Sequence, residues 1–426
     1  MKKIIYIVLD GLGDNPIKEL NNKTPLEAAL TPHMDSLAKE GKVGLVYPVG
    51  KGIVPESDTA VISLLGYDVK KYYTGRGPLE AFAEGITVSE GNVALRVNFA
   101  SLGEDGKTIS DRRVGRTLTQ EETDGFAKEI NSKISLSSAT FEFVNTVGHR
   151  GVLVLRPMHN KLSPWITNTD SAYGRHGIFG VTRERCDNYL LQSVPMRGHE
   201  NSFDAKETAL ILNEFTQKSL KVLSESYINK KRISEGKLAA NAILSRDAGS
   251  SLPKFPNVQS LYRLSFGAFV EMPVERGIAL LTGMEIIEVP NKTGHLDVDY
   301  AVWAKIALDA IDKFDCLYVH IKGPDEPSHD GDFKKKIEII ELIDKFYFGS
   351  LLSSLNMKET VVAVTADHST VCATSTHSSG PVPLLISGGN NKPDKISSFS
   401  ERSADKGSLG KVLGNSLLPL LVKLAK

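Results

Sequence analysis

Four short apolar runs, rich in β-branched residues and set between helical patterns, restrict the fold of this chain more than any other feature. The runs are IIYIVLD (4–10), CLYVHI (316–321), VVAVTAD (361–367) and VPLLIS (382–387). Helical patterns precede the second and third runs, as DYAVWAKIALDAIDKF and DFKKKIEIIELIDKFYFGSLLSSL. Continuous apolar strands that alternate with helices are typical of parallel sheets covered on both faces. We therefore predict an α/β fold with a mostly parallel sheet and helices on both faces.

The middle of the chain has a different pattern. Candidate strands (NVALRVNFASL, TFEFVNT and RGVLVLRP) are mixed there with one long helical pattern and with loops that contain Gly and Pro. A chain of 426 residues is long enough for two or three domains. We predict a discontinuous domain, 1–75 and 250–426, that carries an inserted mixed α/β domain, 76–249, as a cap. The apolar stretch LGNSLLPLLVKLA near the C-terminus is expected to form a buried closing helix.

Charge and cysteine usage exclude several classes of partner. Lys plus Arg and Asp plus Glu both number 51, and a net charge of zero argues against broad binding to nucleic acid or to an anionic membrane. The apolar run at the N-terminus is too short for a signal peptide or a membrane span. Cys186, Cys316 and Cys372 are odd in number and scattered, which favours a reducing compartment. We expect a cytoplasmic protein with no obligate protein partner.

Carboxylates and histidines follow three of the four apolar runs. In open α/β sheets, ligands bind beyond the carboxyl ends of the strands. Carboxylate oxygen and imidazole nitrogen together suit divalent ions such as zinc or manganese. Six side chains are a natural complement for two ions, and a two-metal site is a standard device for phosphoryl transfer. The candidate ligands are Asp10, Asp325, His329, Asp367, His368 and His377.

Other polar residues near these runs are expected to have different roles. His320 alternates with Tyr318 along its strand, so we predict that it packs in the interior or supports a ligand. Asp330 and Asp332 are predicted to face solvent or to cap a helix. Asp10 has an alternative of the same kind, because a carboxylate after an apolar strand can also cap a helix or a turn.

Ser57 is a candidate nucleophile. It lies in VPESDTAVISLLGYD, immediately before an apolar helical stretch. The start of a helix favours a phosphoryl group, because backbone N–H groups and the helix dipole both point there. Two-metal phosphoryl-transfer enzymes often use a hydroxyl nucleophile activated by one ion. The alternative interpretation is an ordinary serine N-cap.

Taken together, these stretches resemble the cofactor-independent phosphoglycerate mutases of archaeal type, within the alkaline phosphatase superfamily. The similar stretches run from residue 4 to about 388, nearly the whole chain. They are VLDGLGD, PESDTAVISLLGYD, YYTGRGPLEAFAEGI, LRVNFAS, SDRRVGR, GPDEPSHDGD, TADHST and THSSGPVPLLI. The Asp-x-x-x-His and Asp-His pairs mark the superfamily, whereas the serine stretch, TGRGPLEA and DRRVGR are specific to this branch.

The resemblance implies an alkaline-phosphatase-like catalytic domain with a transient phosphoserine at Ser57. It also implies one metal held by Asp325, His329 and His377, and another held by Asp10, Ser57, Asp367 and His368. The expected reaction interconverts 3-phosphoglycerate and 2-phosphoglycerate, in glycolysis or gluconeogenesis, without 2,3-bisphosphoglycerate. Manganese is the predicted metal, with zinc, cobalt and magnesium as alternatives, because Asp/His sites accept several divalent ions.

An anionic substrate of this kind also needs fixed cations, and arginine suits bidentate recognition of carboxylate and phosphate. The candidates are Arg96, Arg113 and Arg116, followed by Arg76 and Lys322. Their alternative interpretation is a cluster of surface ion pairs.

Two positions depart from the family pattern, and other functions remain open. Val61 stands where many relatives carry a polar residue or His, and Asp170 is not followed by Pro-His. The alternative function is another metal-dependent phosphotransferase or phosphomonoesterase of the superfamily, including a homoserine kinase-like role. A catalytically silent metal-binding or regulatory module would be indicated by loss of Ser57 or of a ligand, and all seven residues are present. The sequence lacks both the GxxxxGK[ST] and the GxGxxG motif, so it gives no sign of a nucleotide-dependent kinase.

Overall fold

A computed structural model describes residues 1–183, 187–290 and 292–426. The strands, in chain order, are β1 (Lys3–Leu9), β2 (Gly41–Tyr47), β3 (Val93–Leu102), β4 (Ile109–Asp111), β5 (Ala139–Asn145), β6 (Arg150–Pro157), β7 (Tyr173–His176), β8 (Phe179–Thr182), β9 (Ala242–Gly249), β10 (Phe266–Val270), β11 (Glu285–Ile287), β12 (Cys316–Ile321), β13 (Thr360–Thr365), β14 (Ser369–Val371), β15 (Thr376–Ser378), β16 (Val382–Gly388) and β17 (Gly410–Leu413).

The helices connect these strands. In chain order they are α1 (Pro25–Ala28), α2 (Pro32–Lys39), α3 (Ser57–Leu64), α4 (Val69–Tyr72), α5 (Arg76–Ala83), α6 (Gln120–Lys133), α7 (Phe203–Glu225), α8 (Tyr227–Ser234), α9 (Val258–Tyr262), α10 (Pro273–Thr282), α11 (Leu296–Ile311), α12 (Asp325–His329), α13 (Phe333–Leu342), α14 (Gly349–Ser354), α15 (Glu401–Asp405) and α16 (Leu417–Ala425). Short 3-10 turns lie at Lys18–Leu20, Val114–Arg116 and Gly414–Ser416. Within the described ranges, every helix is too short or too polar to cross a membrane.

The chain forms two compact units. The first contains residues 1–72, 254–271 and 278–426, and the second contains residues 73–253 together with 272–277. The first unit is therefore built from three separate segments of the chain.

The sheet of the first unit has the strand order β11-β10-β12-β1-β13-β16-β2-β17. The five adjacent strands β11, β10, β12, β1 and β13 are parallel to one another, and β17 is parallel to β2. The predicted α/β fold with a mostly parallel sheet is thus confirmed. Strand β16 differs, because it is antiparallel to both β13 and β2. The β14–β15 hairpin lies between β13 and β16 and reverses the chain there.

The centre of this sheet is buried on both sides. Residues 4–9 of β1 are all fully buried. Successive side chains of a strand point to opposite faces, so both faces of the sheet are covered. The predicted closing helix is α16, which buries Leu417, Leu418 and Leu421.

The helix predicted before β13 is not regular. A π-helix, Ile343–Phe348, separates α13 from α14. Its Asp344 is fully buried and accepts hydrogen bonds from the backbone N–H groups of His33 and Met34 at the start of α2. The irregular turn therefore presents a carboxylate to the N-terminus of another helix, where negative charge is stabilising.

The second unit is built on an antiparallel sheet. Its strand order is β4-β3-β6-β5, and β9 pairs with β3. Aromatic side chains fill its core, with Phe99 in contact with Phe126 and Phe143, and Phe143 with Phe215. Helix α6 begins at a capping box formed by Thr119 and Glu122. The role of this unit as a substrate-binding cap stays a prediction.

Candidate active site

Three carboxylates lie at one edge of the first unit's sheet. Strands β12, β1 and β13 are adjacent and parallel, so their carboxyl ends meet. Asp10 directly follows β1, Asp367 follows β13, and Asp325 opens α12 after β12. The turn after β1 requires glycine: Gly11 has a φ of 64°, and a Cβ there would lie 2.8 Å from the Asp325 Cα. The backbone of this turn therefore approaches Asp325 closely.

Two histidines direct the same ring nitrogen toward Asp325. The Nδ1 atoms of His329 and His377 lie 2.9 Å from the backbone oxygens of Ser375 and Pro55, respectively. Because a carbonyl oxygen only accepts, we infer that each Nδ1 carries a proton. The Nε2 atoms are 3.3 Å and 3.6 Å from Asp325 Oδ1. Histidine metal ligands show this arrangement, with one ring nitrogen held by an oxygen acceptor.

His368 joins these residues to the other two carboxylates. Its Nε2 lies 3.2 Å from Asp10 Oδ1, 3.2 Å from Asp367 Oδ2 and 3.2 Å from Ser57 Oγ. Its ring also stacks on that of His377, with centroids 3.8 Å apart. The structure thus brings Ser57 and the predicted ligand side chains into one constellation.

The donor set fits divalent cations. Two groups have ligand atoms that all lie within 4.8 Å of one another: Asp325, His368 and His377, and Asp10, His320 and Asp367. Each group combines carboxylate oxygen with imidazole nitrogen, the ligands preferred by manganese and zinc. His329 adds a third imidazole beside Asp325.

His320 lies close to the carboxylates of the site. It is fully buried, as predicted, and its Nε2 lies 3.5 Å from Asp367 Oδ2. Its place at the end of β12, next to β1, accounts for this position. The expectation that it supports a ligand agrees with this distance.

The titration of these groups reflects their mutual charges. Burial raises the pKa of Asp10, but Lys322, whose Nζ is 2.9 Å away, holds that pKa below its usual range. Burial also opposes ionisation of Asp325, whose pKa is nevertheless lowered, chiefly by His329. Burial lowers the pKa of His368, but Asp367 and Asp10 raise it to about 9. Both carboxylates are therefore ionised at neutral pH and available to a cation.

Ser57 is not a conventional N-cap. The N-cap of α3 is Glu56, and Ser57 is the first residue of the helix. Thr59 holds this start, because its side-chain oxygen bonds both the backbone N–H and the backbone oxygen of Glu56. The Ser57 hydroxyl contacts His368 instead of a backbone amide.

A buried ammonium group, which was not predicted from the sequence, ties the ligand-bearing loops together. Lys336 is fully buried, and its Nζ bonds Gly13 O at 3.0 Å, Thr370 O at 2.9 Å and Asp14 Oδ2 at 2.9 Å. Asp14 also accepts from the backbone N–H of Cys372. The segments after β1 and β13 are thus fixed to each other. On the same helix, Asp332 accepts from Lys335 N and caps α13, as predicted.

A second charged cluster lies within the other unit and has the opposite sign. Arg76 donates from Nε to Glu80 Oε1 at 2.6 Å, and Arg96 Nε is 3.7 Å from the same oxygen. Arg246 contributes to the lowered pKa of Glu80. All three arginines and Glu80 are buried. Burial and the charges of Arg246 and Arg76 lower the pKa of Arg96 to about 9, so cations predominate here.

The sheet places two of these arginines opposite each other. Arg96 on β3 and Arg246 on β9 are paired residues, next to a shift of register between Ala94 and Arg96. Asp247 has a φ of 57°, which is uncommon for a residue other than glycine. The Arg246 guanidinium lies 3.6 Å from the centroid of the Tyr173 ring. Like charges directly opposite each other destabilise a sheet, and Asp247 Oδ2, 3.7 Å from Arg246 Nε, offsets part of this repulsion.

Arg113 and Arg116 lie in a further basic region around His149. Burial lowers the pKa of His149 to about 2, and the charges of Arg150, Arg113, Arg96 and Arg116 add to this effect. His149 is therefore neutral among cations. The structure brings Arg76 and Arg96 together around Glu80, and places Arg113 and Arg116 near His149.

Sequence reasoning missed Arg246, Glu80 and His149. The pairing of β3 with β9 reveals Arg246, and the spacing of four residues between Arg76 and Glu80 on a helix was an available signal for that pair. Cys316 and Cys372 are buried free thiols, and Cys186 lies outside the described residues.

Comparison with known proteins identifies the family. Residues 38–229 match the family model described as 2,3-bisphosphoglycerate-independent phosphoglycerate mutase. A curated protein of that name from Aeropyrum pernix is 43% identical, over 97% of this chain and 96% of the relative. Another, from Methanopyrus kandleri, is 40% identical over 100% of this chain and 96% of the relative.

Solved structures agree with this assignment. A protein from Pyrococcus horikoshii matches with a TM-score of 0.77 and 32% identity, over 100% of this chain and 97% of that one. The cofactor-independent phosphoglycerate mutase from Thermoplasma acidophilum matches with a TM-score of 0.60 and 31% identity, over the full length of both chains. The chain belongs to the 2,3-bisphosphoglycerate-independent phosphoglycerate mutase family.

Proposed function

We propose that this protein interconverts 3-phosphoglycerate and 2-phosphoglycerate through a phosphoserine at Ser57, without 2,3-bisphosphoglycerate. One observation carries the proposal. The Ser57 hydroxyl lies 3.2 Å from His368 Nε2, within a constellation of carboxylates and histidines suited to divalent cations. The family name of the relatives supports the same reaction.

The residues of the first unit are proposed to hold two divalent ions. Asp325, His329 and His377 form one set of ligands, and Asp10, Asp367 and His368 form the other with Ser57. When bound, the ions neutralise charge on the transferring phosphoryl group and lower the pKa of the serine hydroxyl. Manganese is the proposed metal, and zinc, cobalt and magnesium are the alternatives.

Ser57 carries the covalent step. Its Oγ attacks the phosphorus of 3-phosphoglycerate, the bond from phosphorus to the 3-oxygen breaks, and that oxygen gains the proton lost by the serine. The bound glycerate then reorients, and its 2-hydroxyl takes the phosphoryl group back from Ser57. The free serine is thereby restored, and no external phosphoryl donor is consumed.

The arginines of the second unit are proposed to recognise the anionic substrate. Arg76, Arg96 and Arg246 present buried guanidinium groups, which bind carboxylate and phosphate by paired hydrogen bonds. Arg113 and Arg116 contribute positive potential near His149. In the first unit, Lys322 lies beside Asp10 and is a further candidate contact for the phosphoryl group.

The alternative functions are less well supported. The family assignment favours a mutase over a phosphomonoesterase or a homoserine kinase-like enzyme. A silent module is not favoured either, because Ser57 and all six predicted ligands are present and close together. We propose a small phosphorylated acid as the substrate, with no nucleic acid or membrane partner. A cytoplasmic location stays a prediction from cysteine usage.

A coupled assay tests the proposal. Purified protein is incubated with 3-phosphoglycerate and manganese, without 2,3-bisphosphoglycerate, and formation of 2-phosphoglycerate is followed with enolase. We expect turnover, no accumulation of inorganic phosphate, and loss of activity in chelator that manganese reverses. Absence of turnover from folded, manganese-loaded protein would sink the mutase proposal, and steady phosphate release would indicate a phosphatase.

Two serine variants test the nucleophile. Ser57→Ala should lose at least about 10³-fold in rate, because the covalent route is closed, while manganese binding is retained. Ser63→Ala, on the buried side of the same helix, is the matched control and should stay active. An active Ser57→Ala protein would remove Ser57 from its role.

A further inference from the structure

We propose that Thr370 is a positioning residue that links the two sets of candidate metal ligands through its single hydroxyl group. The Thr370 Oγ1 lies 2.6 Å from Asp325 Oδ1 and 3.0 Å from His368 Nδ1. Asp325 belongs to one proposed ligand set. His368 is assigned to the other because its Nε2 lies 3.2 Å from both Asp10 Oδ1 and Asp367 Oδ2, and it also lies close to Asp325 and His377. This inference rests on the metal site of the proposed function and extends it to a residue that binds no ion itself.

The direction of both hydrogen bonds follows from the number of protons. A threonine hydroxyl has one proton to donate, and an ionised carboxylate can only accept. The Thr370 proton therefore goes to Asp325 Oδ1, and Oγ1 must accept from the Nδ1–H of His368. Nε2 is consequently the ring nitrogen of His368 that faces a cation, and it loses any proton it carries when an ion binds.

The backbone around Thr370 is held on several sides, which makes its hydroxyl a rigid reference point. Thr370 is fully buried, its N–H donates to Gly13 O at 3.0 Å, and its carbonyl oxygen accepts from Lys336 Nζ. In the β14–β15 hairpin it pairs with His377. The hydroxyl is thus placed relative to His377 and to the segment after β1 at the same time.

Thr370 differs in kind from the acceptors of the other histidines. His329 and His377 are oriented by the backbone oxygens of Ser375 and Pro55. A substitution of Ser375 or Pro55 does not remove the backbone oxygen that accepts the hydrogen bond. The acceptor for His368 is a side chain that also holds Asp325. Loss of this one hydroxyl should therefore loosen a ligand of each ion together.

The experiment measures manganese affinity by calorimetric titration of metal-free protein. Thr370→Val keeps the shape of the side chain and removes the hydroxyl, so we expect affinity about 10–100-fold weaker in both binding steps. Thr370→Ser restores the hydroxyl and should return both affinities toward the wild-type values. His329→Ala, which removes a ligand from one set only, should weaken chiefly one step.

Thr282→Val is the matched control. Thr282 is also fully buried in the first unit, but among the residues that the structure describes its hydroxyl bonds the helix backbone at Ile278 and Ala279. It should lose stability without a change in manganese affinity. Thermal unfolding of each metal-free variant confirms that it folds, and Thr370→Ala replaces the valine variant if the latter does not.

The outcomes separate this inference from the proposed function. Wild-type affinity in a folded Thr370→Val protein, or a serine variant no better than the valine or alanine variant, would overturn the role of Thr370 and leave the metal site intact. Failure of the wild-type protein to bind manganese would overturn both. Weakening in both steps, rescued by serine, would support the link.

Discussion

The two units of this protein bury charge in opposite ways. In the first, three carboxylates and four imidazoles, including that of His320, converge at the ends of parallel strands, and Lys322 forms an ion pair with Asp10. In the second, three arginines surround Glu80 on a helix and on facing antiparallel strands. One cluster therefore has surplus negative charge and the other surplus positive charge. Because buried charge is costly unless it is paired, this contrast agrees with the proposed metal ions in the first unit and the proposed anionic substrate in the second.

This contrast supports the proposed division of function, with metal binding in the first unit and substrate recognition in the second. The carboxylates and histidines suit cations, and the arginines suit the carboxylate and phosphate of a small acid. Substitutions in the first unit should therefore change metal affinity and rate, and those in the second should change substrate affinity. A first-unit substitution that changed substrate affinity alone, or a second-unit substitution that changed metal affinity, would contradict this division.

The largest effect is expected at Asp325. Asp325→Asn removes the charge that both neighbouring histidines face, so we expect manganese binding to weaken and kcat to fall by about 10³-fold or more. The coupled assay at saturating 3-phosphoglycerate and a manganese titration measure these changes. Asp332→Asn, at a helix cap in the same loop, is the control. Normal metal affinity in Asp325→Asn would show that the carboxylate does not bind a metal.

The next largest effect is expected on the free energy of unfolding. It is tested by removing one buried cation in each unit. Lys336→Met leaves Asp14 without its ion pair and should destabilise the first unit by about 3–5 kcal/mol, with weaker manganese binding. Arg232→Met removes the buried partner of the partly exposed Glu122 in the second unit, and it should lower stability without changing manganese affinity. Calorimetric unfolding and manganese titration measure both. Equal manganese affinity in the two folded variants would contradict a link between Lys336 and the ligand loops.

A smaller effect is expected in the arginine cluster. If Arg96 binds the substrate as proposed, Arg96→Met removes charge-assisted hydrogen bonds, and KM for 3-phosphoglycerate should rise about 10–100-fold. Manganese affinity should not change, because Arg96 lies outside the donor set. Arg156→Met, which removes a surface ion pair with Glu142 in the same unit, is the control. A loss of manganese affinity without a change in KM would reverse the proposed division.

The smallest expected effect concerns the pKa values of two buried glutamates, Glu80 in the second unit and Glu401 in the first. Burial raises the pKa of Glu80, but Arg76 and Arg96 bring it below the ordinary value. Burial raises the pKa of Glu401 to about 7, because its bonds to Thr24 and to the N–H of Asp14 do not compensate. A raised carboxyl pKa contributes stability that is complete below the unfolded value, about 4.5, and is lost as the pH rises to about 7.

Glu401→Gln tests this sign. As the pH rises from 4.5 to 7, the free energy of unfolding of the variant should increase relative to wild type by on the order of 1–2 kcal/mol. Above that range the difference should stay constant. The melting temperatures of the two proteins across this pH series provide the measurement. A difference that stays constant with pH would contradict the raised pKa of Glu401.

The sequence predicted the residues whose position depends on strand ends. Asp10, Asp325 and Asp367 could be grouped because parallel strands end at one edge, and their histidines are close along the chain. It did not predict the antiparallel direction of β16, because an apolar run carries no sign of direction. Arg246 needed the β3–β9 register, and Lys336 lies in a KKK run that is otherwise typical of an exposed helix face.

Thr370 illustrates a different limit. It ends the TADHST stretch beside two predicted ligands, but its contacts with Asp325 and His368 exist only once β12 and β13 flank β1. Ligands can thus be inferred from residue type, whereas the residues that orient them depend on tertiary structure.

The position of β1 has a consequence for the order of events during synthesis. Its two neighbours in the sheet, β12 and β13, begin at Cys316 and Thr360, so β1 leaves the ribosome about 300 residues before either partner. The long segment 73–253 of the second unit emerges complete in the meantime. We expect that segment to fold first, and the N-terminal strand to be the part of the nascent chain most in need of protection by chaperones.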